Sequence, residues 1–185
     1  MSEEIFGQKK VIRHQIRELK NGLTPSQKQL EADTVFYKIE LLPEFQNANN
    51  IFIYWSLPDE LPTLAFIGKW CDKKQFFLPA IVGNVMVLKH YSLSESLLKG
   101  SHGIMEPNSL IDFNGEVELG IIPGIAFDGH KNRLGRGKGY YDRFFSNNKS
   151  LKIGVCFDFQ LLKTLPVSLH DVKMDKIVSP TQIVN

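Results

Sequence analysis

The densest chemistry in this 185-residue chain lies in Asn132-Arg133-Leu134-Gly135-Arg136-Gly137-Lys138-Gly139-Tyr140-Tyr141-Asp142-Arg143. Glycines at alternate positions leave one side of the backbone without Cβ atoms, so main-chain N–H groups can approach a bulky ligand. Arg136 and Lys138 fill the gaps. In an extended segment residues two apart project the same way, so both cations are expected to face one target. From Tyr140 the pattern turns helical through Phe144 and Phe145, which places the glycines at a helix N-terminus favourable to phosphate. Between Asp128 and Arg143 five cations (Lys131, Arg133, Arg136, Lys138, Arg143) face two anions. The segment therefore reads as a polyanion site rather than a surface turn.

It is not a Walker A loop, because Gly139 rather than Ser or Thr follows Lys138 and supplies no oxygen to magnesium. Asp142 is the nearest carboxylate for such an ion. A second carboxylate from elsewhere would suit magnesium, which takes one or two protein oxygens with phosphates and waters.

The elements that must position this loop follow from periodicity. Residues 3 to 21 are expected to be helical, with Ile12, Ile16, Leu19 and Leu23 as the apolar stripe and Lys9, Arg13, Arg17 and Lys20 as a basic one. Thr24-Pro25-Ser26-Gln27 is a capping-box helix start, leading through Leu30, Val35, Ile39 and Leu42 to a stop before Pro43. Ile51 to Trp55 reads as a strand buried on both faces, and the loop Ser56 to Thr63 lies at its carboxyl end, where open α/β sheets bind ligands. A helix from Thr63 to Lys73 follows, then strands at Phe76–Ile81 and Val85–Tyr91 joined through Gly83-Asn84. Ser94 to Lys99 is read as a helical turn, and Gly103 to Pro107 as a loop or edge segment. Leu119 to Gly124 and Leu151 to Phe157 are further strands, Ile125 to Asn132 is a loop, and Ile177-Val178 is a last short strand. Strands alternating with helices predict an α/β chain: one catalytic domain over residues 1–185, a three-layer α/β/α sandwich with a mostly parallel sheet.

Composition narrows the function. Hydrophobic residues make up 43% of the chain, enough for a proper core, and a net charge of +2 is too small for a nucleic-acid protein. No run approaches the roughly 20 apolar residues of a membrane span. Cys71 and Cys156 lack metal-ligand spacing and read as buried structural thiols in a reducing, cytoplasmic setting. No Ser/His/Asp or Cys/His constellation stands out, and His130 and His170 read as hydrogen-bonded structural residues.

Pro123-Gly124-Ile125-Ala126-Phe127-Asp128, followed by the glycine-rich segment through Asp142, closely resembles the signature of the 5-formyltetrahydrofolate cyclo-ligase (5,10-methenyltetrahydrofolate synthetase) family. Supporting segments stand in order: Lys9 to Arg13, the Trp55 to Glu60 loop, Gly103 to Pro107, and Asp171 to Asp175. The resemblance implies a fold similar to ribose-phosphate isomerases and CoA transferases, and an ATP- and Mg2+-dependent conversion of 5-formyltetrahydrofolate to 5,10-methenyltetrahydrofolate. It implies ATP on Lys9, Lys10, Arg13, Arg133, Leu134, Gly135, Arg136, Gly137, Lys138, Gly139, Tyr140 and Tyr141. Folate, alone or polyglutamylated, is implied on Trp55 and Glu60 with Arg136, Gly137, Lys138, Gly139 and Tyr140. Asp142 and Asp175 are implied as magnesium ligands, the expected protein is a monomer, and Arg136 and Lys138, projecting the same way between glycines, are expected to be catalytic by acting on the transferring phosphoryl group. Ala80-Ile81 after Pro79 departs from the basic residue that many members carry there. An isomerase or CoA transferase of the same fold would work without ATP, and a non-catalytic nucleotide- or RNA-binding module would need a wider basic surface.

Overall fold

The computed structural model describes residues 3–93, 97–99, 105–108, 113 and 115–185. The chain begins with helices α1 (Glu3–Asn21), α2 (Pro25–Glu40) and α3 (Pro43–Asn47), followed by strand β1 (Asn50–Ile53) and helix α4 (Leu64–Trp70). Strands β2 (Gln75–Val82), β3 (Val85–Tyr91), β4 (Leu97–Lys99), β5 (Met105–Pro107), β6 (Leu119–Pro123), β7 (Ala126–Asp128) and β8 (Arg133–Leu134) lead to helix α5 (Tyr140–Ser146). Strands β9 (Leu151–Val155), β10 (Leu161–Leu162), β11 (Lys176–Val178) and β12 (Ile183–Val184) complete the chain.

The main sheet has the order β12-β11-β9-β6-β1-β2-β3. Its five inner strands are parallel, while β3 and β12 are antiparallel edges. Side chains alternate across it. Ile51 and Ile53 join α2, α3 and α4 in one core through Val35, Phe36, Ile39, Phe45 and Ile67. Phe52 points to the other face and packs with Phe127 and with Phe145 of α5. Because both faces are covered, the central strands are mostly apolar, with Asn50 of β1 and Lys152 of β9 the polar exceptions near their amino ends, as the three-layer reading allows.

The capping box forms as expected: Thr24 Oγ1 accepts from the Gln27 N–H at 3.3 Å and Gln27 Oε1 accepts from the Thr24 N–H at 2.9 Å, a device worth about 1 kcal/mol. Four expectations need correction. Helix α2 stops at Glu40, and Pro43 starts the short α3 at its first turn rather than merely ending a helix. Leu97–Lys99 is not helical but pairs antiparallel with Met105–Pro107; Ser94 to Ser96 and Gly103-Ile104 lie outside the described residues. The expected loop Ile125 to Asn132 contains β7 and leads into β8, and with β10 they make a separate three-stranded sheet. Helix α1 packs Ile16 against that small sheet through Ile125, Ala126 and Leu134, and Leu19 faces solvent. Three members of the basic stripe turn inward with Ile16: Lys9 and Lys20 are buried and Arg13 is half-buried between them, while Arg17 is exposed.

Candidate active site

The glycine loop is carried by a hairpin built around one buried carboxylate. Asp128, with no exposure, accepts hydrogen bonds from the N–H groups of His130, Asn132 and Leu165 and from Asn132 Nδ2, all between 2.9 and 3.0 Å. Four donors on a buried carboxylate repay its desolvation and lock the turn between β7 and β8. The hairpin delivers Arg133 underneath the loop, not into open space. Its Nη1 donates to Pro123 O at 3.3 Å, its Nη2 lies 3.5 Å from Asp142 Oδ1, and the guanidinium stacks 5.0 Å over Tyr141.

The glycine segment is not extended. Gly137 has φ 103 and Gly139 φ 69, conformations that only glycine adopts without strain, so the chain bends twice before α5 begins. Arg136 and Lys138 therefore do not share one target. Arg136 Nη2 lies 2.6 Å from Asp59 Oδ1 and 3.0 Å from Glu60 Oε1, whereas the Lys138 side chain makes no hydrogen bond or ion pair among the described residues.

Opposite the loop, the segment after β1 is folded tightly on itself. Tyr54 Oη donates to Leu61 O at 2.8 Å, Thr63 Oγ1 donates to Tyr54 O at 3.0 Å, and Glu60 Oε2 accepts from the Leu57 N–H at 3.0 Å. These bonds hold the Glu60 carboxylate, a tenth exposed, at the cleft wall. Burial, reinforced by the Glu60 charge, pushes the Tyr54 and Tyr141 phenols up, so both remain protonated donors at neutral pH.

From α1, Lys9 pairs with Asp171 and donates to Ser168 Oγ at 3.1 Å, tying the helix to the 165–172 segment. Arg13 Nε donates to Gly135 O at 2.9 Å; burial pulls its guanidinium down from its ordinary value, against the attraction of Asp171. Lys10 is exposed and does not line the cleft.

Together these elements enclose a cleft of about 1210 Å³ at the carboxyl ends of the parallel strands. Trp55, Pro79, Ile81, Met86 and Tyr140 give it an apolar wall, and Trp55 is steadied edge-on by Tyr91 at 5.8 Å. Lys9, Arg13, Arg133, Arg136, Lys138 and Arg143 give it a cationic one. Asp142 also lines it, accepting from the Val172 N–H at 3.3 Å. Asp175 does not: its carboxylate accepts from the Lys152 N–H at 2.7 Å and pairs with Lys152 Nζ at 2.9 Å. His130 and His170 are both exposed, contrary to the expectation of hydrogen-bonded structural histidines. Cys156 is buried, which pushes its thiol up, while Cys71 is only half-buried. Three residues with parts in this site carried no role in the sequence reading: Asp59, Asp171 and Lys20. Asp59 stands next to Glu60, and Lys20 lies about two helical turns beyond Arg13, but nothing in their local pattern announces a pairing across 39 positions.

Such a cleft is that of an α/β enzyme taking its ligands at the carboxyl edge of a parallel sheet, with apolar and cationic walls facing one another. Within that class the chain belongs to the 5-formyltetrahydrofolate cyclo-ligase family, whose profile matches residues 6–180. It is 33% identical over 165 residues to the probable 5-formyltetrahydrofolate cyclo-ligase of Schizosaccharomyces pombe, covering 77% of this chain and 80% of that protein. It is 30% identical over 181 residues to the 5-formyltetrahydrofolate cyclo-ligase of Escherichia coli, covering 91% and 98%. The NMR structure of Aquifex aeolicus 5,10-methenyltetrahydrofolate synthetase aligns with a TM-score of 0.86 at 30% identity, over 95% of this chain and 91% of that one. No helix among the described residues is long and apolar enough to cross a membrane.

Proposed function

We propose that this chain, as a single catalytic domain in the cytoplasm, uses MgATP to cyclise 5-formyltetrahydrofolate to 5,10-methenyltetrahydrofolate, releasing ADP and phosphate. The observation that carries the proposal is the contact between Arg136 and Glu60, 3.0 Å apart. A cation on the nucleotide side and a carboxylate on the folate side meet where a γ-phosphoryl group and a formyl oxygen would have to meet.

In this reading the formyl oxygen attacks the γ-phosphorus of ATP and ADP departs. The N10 nitrogen then adds to the activated formyl carbon, and phosphate leaves with the former formyl oxygen and the N10 proton. The chain's residues do four things. Trp55 and the apolar wall exclude water from the reacting carbon. Glu60, fixed by the Leu57 N–H, accepts hydrogen bonds from the amide-like edge of the pterin. The bent glycine backbone cradles the phosphates, with Arg13 beneath it. Lys138, without a partner among the described residues, is free to meet the transferring phosphoryl group. Phosphoryl transfer depends mostly on positioning and charge neutralisation, so no protein nucleophile is needed.

Magnesium fits this donor set on one condition. Among the described residues no group of three or more His, Cys, Asp or Glu could hold a metal, so the ion would be held mainly by phosphates and water, with Asp142 as the cleft-lining carboxylate. When bound it would supply charge neutralisation at the β- and γ-phosphates.

The test is incubation with 5-formyltetrahydrofolate, with and without MgATP, following the conjugated methenyl product by absorbance. Product only with MgATP supports the proposal; turnover of a sugar phosphate or CoA ester without ATP would replace it.

A further inference from the structure

Behind Arg136 stands a pair of residues that do not touch the cleft. Lys20 is 1% exposed, and its one partner among the described residues is Asp59, Nζ to Oδ2 at 3.4 Å. The other oxygen of Asp59 takes Arg136 Nη2 at 2.6 Å, while Glu60 Oε1 takes Nη2 at 3.0 Å and Nε at 3.3 Å. Two cations and two anions thus form a neutral quartet spanning α1, the loop after β1 and the glycine loop.

We propose that Asp59, backed by Lys20, is the positioning residue for Arg136, holding its guanidinium across the cleft so that Glu60 is free to exchange Arg136 for a substrate donor. The proposal rests on the ligand-facing role given to Arg136 above. Arg136 cannot position itself: its side chain is 45% exposed and it sits between Gly135 and Gly137, where the backbone is freest. If Glu60 alone held it, a substrate taking Glu60 would release it to solvent. With Asp59 in place the guanidinium keeps one carboxylate whichever way Glu60 turns.

The two anions differ in the cation behind them: Asp59, although a third exposed against a tenth for Glu60, also answers the buried Lys20. An ammonium as buried as that of Lys20 is costly unless an anion answers it, so Asp59 is bound to a charge that water cannot screen. Burial would raise the Asp59 carboxyl, but Lys20 and Arg136 together outweigh that and hold it below the usual carboxylate range. Arg136 itself is held above its ordinary value: burial lowers it, and the attraction of Glu60 and Asp59 prevails. Glu60, by contrast, lines the cleft, and its second oxygen is already anchored by Leu57.

A double-mutant cycle over wild type, Asp59→Asn, Arg136→Ala and the double variant tests this, with kcat/KM for MgATP read from methenyl product and folding checked by thermal melting. Asp59→Asn is expected to cost roughly 10-fold in the wild-type background and under about 2-fold once Arg136 is gone, because a residue that acts through another loses its effect with it. Asp59→Glu, which keeps the charge, should recover most of the loss. An equal loss in both backgrounds makes Asp59 merely structural and overturns the proposal. Wild-type kcat/KM in Arg136→Ala alone would instead remove the role given to Arg136, a different failure. If Asp59→Asn melts below the assay temperature, Lys20→Met takes its place in the cycle, with the same outcomes read the same way.

Discussion

Arg13 Nε donates to the carbonyl oxygen of Gly135 at 2.9 Å, and a Cβ built on Gly137 would lie 3.5 Å from the same guanidinium, so one side chain of α1 underlies the bend of the glycine loop. Arg13→Met keeps the bulk and removes the donor. A half-buried hydrogen bond from a charged group contributes about 1–2 kcal/mol, which in a chain of this size lowers Tm by about 2–8 °C. KM for ATP should rise more than kcat falls, since the loop is loosened in ground and transition states alike. Scanning calorimetry with steady-state kinetics checks both; an unchanged Tm would mean the bond contributes nothing.

Lys138 offers the opposite profile. Its side chain has no partner among the described residues, so Lys138→Met should leave Tm where it is. A cation needed for the transferring phosphoryl group is worth roughly 3 kcal/mol, so kcat should fall by about 10²-fold. A raised KM with kcat preserved would reduce Lys138 to an anchor.

The two carboxylates expected to share magnesium should part company. Asp142 lines the cleft, whereas Asp175 is bound at both backbone and side chain of Lys152. Asp142→Asn should raise the magnesium concentration needed for half-maximal activity. Asp175→Asn should lower thermal stability and leave that concentration unchanged. Magnesium titrations of the two variants decide the matter, and equal shifts would restore Asp175 as a ligand.

Acid should weaken the fold through two aspartates. Burial works to raise the Asp59 and Asp158 carboxyls, but Lys20 and Arg136 outweigh it at the first, and hydrogen bonds from Ser179 and Thr181 outweigh it at the second. Both are held below their unfolded value, so the native state binds fewer protons than the unfolded one near that value. Their contribution is present above it and is lost as pH falls through the lower native values, below about pH 4. Denaturant midpoints measured down this range should fall, and Asp158→Asn should flatten the fall. An unchanged slope in that variant would assign the acid limb to other groups.

Much of this architecture is written in local pattern. The largely apolar runs at Ile51–Ile53, Leu119–Pro123 and Leu151–Val155 read as strands covered on both faces, and Thr24-Pro25-Ser26-Gln27 reads as a helix start. Alternation of such segments suffices for a layered, mostly parallel sheet, because each must bury its apolar face against the next. The glycine-rich segment announced a cationic loop at the carboxyl edge for the same reason: spacing alone strips the backbone and places the charges.

Direction was not written there. Gly137 and Gly139 are free to take positive φ, and whether they do depends on what lies beside them, here Arg13 at Gly137 and Arg143 at Gly139. The bends that follow send Arg136 to Asp59 and Glu60 and leave Lys138 without a side-chain partner among the described residues, so two cations that look equivalent in sequence acquire different work. Lys9, Arg13 and Lys20 of the α1 basic stripe likewise turned inward because their answering groups, Asp171, the Gly135 carbonyl and Asp59, arrive from segments far along the chain, whereas Arg17 stays exposed. Periodicity reports which residues share a face, but the partner that repays a buried charge is supplied only when the chain closes on itself.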